Sequence, residues 1–138
     1  MDGLVAKWLA FESPFKNLVT LDLSYNQIEF PALVFLLHQG AVFAGTLKKL
    51  SVERNLVINS LVSIVSRLQL PSLEYLDLNL NQIEWDEDDM VSRGYKILRK
   101  IREKKEVGDR WVKVRSVEIQ IDVDLIIKVM SPEDLYKD

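Results

Sequence analysis

No cysteine occurs among the 138 residues, which excludes disulfides, thiolate nucleophiles and cysteine-ligated zinc and suits a reducing compartment. Histidine is almost as scarce. His38 stands alone, and a lone imidazole in an apolar segment fits a packed structural residue better than a general base. The five glycines are scattered and compose no P-loop, dinucleotide-binding or nucleophile-elbow pattern. Carboxylates are plentiful, but no pair stands out from the charged surface, so neither an enzyme nor a cofactor is expected. There is no N-x-[ST] acceptor, and the opening MDGLVAKWLAF lacks a basic n-region followed by a long apolar stretch, so secretion has no support. The longest apolar run, ALVFLL, followed by His38 and Gln39, is too short to span a bilayer. Neither charge sign dominates: a net charge of -3 and a pI near 5.3 give no global pull toward nucleic acid or an anionic membrane. A cytoplasmic or nuclear address is the expectation.

What the chain does have is length for one domain, an apolar fraction of 48%, and repetition. LVTLDLSYNQI at 18 to 28, LKKLSVERNLV at 47 to 57 and LEYLDLNLNQI at 73 to 83 align without gaps. Leu18, Leu47 and Leu73 share the first column, Leu21, Leu50 and Leu76 the fourth, and Leu23, Val52 and Leu78 the sixth. Asn26, Asn55 and Asn81 share the ninth, and Ile28, Val57 and Ile83 the eleventh. Within each copy the spacing predicts a short strand whose alternate residues enter a core. The asparagine stands where the chain turns away, able to donate and accept where the turn would otherwise bury unpaired backbone groups. One strand and its return segment cannot bury their own apolar face, whereas a stack of about three can. Between the strands the text turns helical. Pro31 opens PALVFLLHQ, with Gly40 placed for a left-handed C-terminal residue; Asn59 or Ser60 caps SLVSIVSRL, which Pro71 stops.

These columns resemble the leucine-rich repeat pattern L-x-x-L-x-L-x-x-N-x-L, and repeats of this length with helical returns resemble its ribonuclease-inhibitor-like subclass. The resemblance implies an α/β fold: a short solenoid with parallel strands on the concave side and helices on the convex side. Residues 1–83 are expected to hold an N-terminal helix and three repeats beginning at 18, 47 and 73. That helix, with an apolar stripe of Leu4, Val5, Trp8 and Leu9, would cap the array or mark the chain as cut from a longer one. Residues 84–138 are expected to form an α+β C-terminal cap covering the last strand's edge. There the acidic EWDEDD precedes a predicted helix with Val91, Tyr95, Leu98 and Ile101 on one face, then extended segments and a short helix start at SPEDLYK.

The resemblance also implies a binding role, as a protein-interaction module or scaffold subunit with a protein partner. Its strand columns place Val19, Thr20, Asp22, Ser24, Tyr25, Lys48, Lys49, Ser51, Glu53, Arg54, Glu74, Tyr75, Asp77, Asn79 and Leu80 away from the core. From these the candidate contact set is Thr20, Asp22, Tyr25, Lys49, Glu53, Arg54, Tyr75, Asp77 and Asn79, because tyrosine and arginine give much contact area at low entropic cost. The competing reading is a plain solvated sheet face. A second candidate is the stretch 93–115, where ten basic residues against three acids leave +7, and the remainder of the chain therefore carries -10. Arg99, Lys100, Arg102 and Lys105 are its candidate anion-binding residues, for nucleic acid, phosphoinositide or an acidic protein tail. A solvated helix with acids at its start and lysines at its end explains the same stretch without a ligand. Asp77, Asn79 and Asn81 imitate the start of a calcium loop, but Gln82 replaces the required glycine and Asp88 the bidentate glutamate, so no metal is expected. A site particular to this chain is expected first at the junction after Trp85.

Overall fold

The computed structural model of the chain describes residues 1–107 and 110–130, with side chains for 1–98 and 117–130. In chain order its elements are α1 (Gly3–Phe11), β1 (Thr20–Asp22), α2 (Phe30–Leu36), β2 (Lys49–Ser51), α3 (Leu61–Arg67), β3 (Tyr75–Asp77), α4 (Glu87–Ser92), β4 (Lys96–Val107), β5 (Arg110–Asp122) and β6 (Leu125–Lys128). They build one six-stranded sheet in the order β1-β2-β3-β6-β5-β4.

Each repeat contributes one three-residue strand. The strands are parallel and in phase, Leu21 beside Leu50 and Leu50 beside Leu76. The inward leucine columns form the core: Leu47, Leu50, Val52, Leu76 and Leu78 are fully buried, and Ala32, Leu33 and Ile64 from the return helices close over them. The asparagine column works as its chemistry requires. Asn55 Oδ1 accepts from the N–H groups of Asn26 (2.8 Å) and Ile28 (2.9 Å), while Nδ2 donates to the carbonyls of Leu23, Val52 and Glu53. Asn81 repeats the device one rung on, accepting from Val57 N–H at 3.0 Å and donating to Val52 O at 2.9 Å. The residue before each asparagine, Tyr25, Arg54 or Leu80, is left-handed, with φ of 61°, 52° and 62°. The three turns therefore share this left-handed step, and the first adds a second one at Gln27, φ 56°.

The return helices start as their residues dictate. Pro31 sits in the first turn of α2, and the Ser60 side chain accepts from Ser63 N–H to cap α3. Gly40 corrects an expectation, because it does not take a positive φ. Instead α2 ends at Leu36 with Leu37 as its C-cap, and the Gly40 amide donates to His38 Nδ1 at 2.8 Å. In α1 the buried face is Ala6, Leu9 and Ala10, whereas Leu4, Val5 and Trp8 of the expected stripe face outward.

Beyond residue 83 two features depart from the sequence reading. The predicted helix carrying Val91, Tyr95, Leu98 and Ile101 on one face does not form. α4 stops at Ser92, Gly94 adopts φ 85°, and from Lys96 the chain is β4, paired antiparallel with β5 as far as Val107 opposite Arg110. Left-handed glycine ends the helix, and the long partner strand then satisfies the backbone that a helix would have bonded internally. The second departure is β6, which lies parallel to β3 with Ile127 in the column of Leu76. Leu78 and Leu80 N–H donate to the carbonyls of Lys128 and Met130, just as Leu23 and Tyr25 donate to Ser51 and Glu53. β6 is thus a fourth rung, and β5 then runs back antiparallel to it. The SPEDLYK start lies outside the described residues.

Candidate functional site on the outward sheet face

Parallel pairing in phase lines the outward side chains into rows. One row runs Thr20, Lys49, Tyr75, Ile126; the next runs Asp22, Ser51, Asp77, Lys128, and Glu118 of β5 stands opposite Lys128. Thr20, Asp22 and Lys49 are exposed, whereas Tyr75, Asp77 and Lys128 are half-buried, so the face becomes more enclosed toward β6.

Two cation–aromatic pairs stand on it. The Arg54 guanidinium lies 5.3 Å from the Tyr25 ring centroid, with its Nε 3.8 Å from Glu53 Oε1. The Lys128 ammonium lies 5.5 Å from the Tyr75 ring centroid. Such pairs hold long side chains in one place and present flat apolar area beside charge.

The acids along the second row differ in environment. Hydrogen bonds from the Ser24 hydroxyl and amide hold Asp22 below the ordinary carboxylate value of 3.8. Burial pushes Asp77 above that value, and the Asn79 amide and the Lys128 charge pull back only part of the way. Burial also raises Tyr75, while its hydrogen bond with Tyr75 and the charges of Asp77 and Glu118 raise Lys128. Tyr75, Asp77, Lys128 and Glu118 therefore form one coupled group across β3, β6 and β5.

The structure brings Thr20, Asp22, Lys49, Tyr75 and Asp77 together on the strands and Tyr25, Glu53 and Arg54 on the adjoining turns. Asn79 has a structural duty, its Oδ1 accepting from Met130 N–H at 2.9 Å. Leu80, read as outward, is 8% exposed. The oxygens that imitate a calcium loop are also engaged, Asp77 Oδ1 with Asn79 N–H and Asn81 Oδ1 with Val57 N–H. Arg99, Lys100, Arg102 and Lys105 lie on β4, Arg99 opposite Glu118 and Arg102 opposite Arg115, and their side chains fall outside the described residues. His38 is exposed and meets Phe11 edge-on, with ring centroids 5.4 Å apart. Sequence reasoning missed Lys128, Glu118 and Ile126. The alternation of Leu125, Ile127 and Val129 with Ile126 and Lys128 was the available signal.

Phased parallel strands, helical returns and an asparagine ladder define a repeat protein. A family model for the Leucine Rich repeat matches residues 16–31 and 69–84, the first and third rungs, and so supports a leucine-rich repeat family. No curated protein and no solved structure matches the chain. Leucine-rich repeats generally mediate protein–protein interaction. Among the described residues no helix is long and apolar enough to cross a membrane.

Proposed function

We propose that this chain is a non-enzymatic protein-interaction module of the ribonuclease-inhibitor-like leucine-rich repeat type, holding a protein partner against the outward face of its sheet. Residues 84–138 act as its C-terminal cap and contribute Lys128 and Glu118 to that face. The observation carrying this reading is the pair of cation–aromatic contacts, Tyr25 with Arg54 and Tyr75 with Lys128, fixed on a hydrogen-bonded frame. Side chains already held in place lose little further freedom on binding, so contact area converts more fully to affinity. The experiment is affinity capture with mass spectrometry, comparing wild type with the Tyr75→Ala, Arg54→Ala double variant. Partners retained by wild type should be lost from the variant while its circular dichroism stays unchanged. Equal capture by the two proteins would overturn the assignment of this face.

A further inference from the structure

Away from the outward sheet face, an open cleft of about 810 Å³ lies where the last sequence repeat gives way to α4. One wall is the approach to α3 and its first turn, with Ile58, Ser60 and Val62; the other is the segment from Gln82 to Asp86, and Asp89 and Met90 of α4 complete the lining. Both walls are fixed by backbone bonds. Gln82 N–H donates to Val57 O at 3.0 Å and Leu61 N–H to Glu84 O at 2.9 Å, and Ser60 and Glu84 form a parallel bridge. The cleft is therefore built before anything enters it.

Its chemistry has two parts. Apolar side chains stand in both walls: Trp85 and Val62 are half-buried, and Ile58 is 67% exposed, an aliphatic surface that the fold leaves uncovered. The charge is acidic, since Glu84, Asp86 and Asp89 line the cleft and no basic residue does. Within the chain, Asp89 is partnered by Arg93 at 3.1 Å and Asp86 caps α4 through the Asp89 amide. Among the described residues, no group of His, Cys, Asp or Glu could hold a metal ion, so the acids do not converge on a point cation. Negative charge beside exposed apolar side chains on a fixed frame matches a ligand that carries positive charge beside an apolar anchor.

We propose that this cleft docks a short basic peptide segment of a partner protein, an aliphatic or aromatic side chain seated on Ile58 and Trp85 with flanking arginine or lysine against the acidic rim. The occupant is set by charge complementarity, and the site is separate from the outward sheet face, so either assignment can fail alone. Burial of an apolar anchor supplies affinity, and the rim selects sign and speeds encounter.

The test uses the full chain and a short fluorescein-labelled peptide alternating arginine and leucine, read by fluorescence anisotropy at about 0.15 M salt. Two variants serve, Ile58→Lys at the exposed apolar position and Glu84→Lys at the rim, each checked for an unchanged melting curve. The expected result is saturable binding by wild type, weakened about tenfold or more by either substitution. It should be absent for the glutamate–leucine peptide and much weaker for an arginine–serine peptide. Equal binding by Ile58→Lys would overturn the proposal, because neither anchor nor charge at this cleft would then matter, and equal binding of the arginine–serine peptide would overturn it by reducing it to electrostatics. A concentration-dependent dimer of wild type in sedimentation, lost in Ile58→Lys, would assign the cleft to a second copy and overturn the peptide occupant.

Discussion

Asn55 shows what one side chain does for this fold. It serves two N–H groups and three carbonyls, whereas Asn26, at the equivalent position one rung earlier, donates its side-chain amide to Ser24 O. Asn55→Leu should cost about 1–3 kcal/mol by leaving buried groups unpaired, and Asn26→Leu clearly less; reversal of that order in thermal melts would refute the ladder as the source. Asp22 and Asp77 make a second contrast. The lowered value of Asp22 means a stabilising contribution present above the unfolded value and lost as pH falls through the folded one. The raised value of Asp77 has the opposite sign: relative stability is greatest below the unfolded value and declines as pH rises through the folded one. Asp77→Asn, which keeps an acceptor for the Asn79 amide, should therefore gain stability at neutral pH. The gain should vanish below the carboxylate range. Carboxyl NMR titration checks the origin directly, with Asp22 titrating below Asp77; coincident titrations would remove the explanation.

Among the elements, β6 carries a rung's work without a rung's signature. Ile127 is fully buried and sits in register with Leu76, so Ile127→Ala should cost about 2–5 kcal/mol, in the same range as Leu76→Ala, by urea denaturation. A loss well under 1 kcal/mol would mean that β6 merely lies alongside. The three earlier rungs were legible because five columns recur and each column has its own physical task. β6 was not, because Leu125 to Met130 retains only alternation and contains no asparagine, and antiparallel β5 follows it in the sheet where a further parallel rung would stand. The misread helix has a similar cause. Apolar residues at 91, 95, 98 and 101 fit a helical period, and the competing pairing with β5 lies at long sequence separation, beyond the reach of local spacing. Gly94 was the local sign of the break. Its φ of 85° and the open space around it mean that Gly94→Ala should cost about 1–2 kcal/mol through backbone conformation alone. A negligible change would show that the turn can relax.

Over the whole molecule, stability should be graded along the stack, because in a rung architecture each strand is held chiefly by its neighbours. Leu50 and Leu76 are fully buried between flanking strands, while Leu18 and Leu21 of the first repeat are only partly buried and β1 is an edge of the sheet. The outward face follows the same gradient, exposed at Thr20 and Asp22 and half-buried at Tyr75, Asp77 and Lys128. That gradient was invisible in the aligned columns. Equivalent positions look alike in sequence, and what differs is how much structure lies on either side of each rung. Amide hydrogen exchange measures it without mutation. Amides paired between β2 and β3 should exchange slowest, and those between β1 and β2 faster, because opening the first rung exposes core already partly in contact with water. The amides of Leu78 and Leu80, bonded to Lys128 and Met130 carbonyls, should exchange as slowly as the β2–β3 set, since β6 is covered in turn by β5. Protection equal at β1 and β3 would mean that the stack opens as one unit. Fast exchange at Leu78 and Leu80 would detach the fourth rung, and with it the Tyr75 and Lys128 end of the outward face.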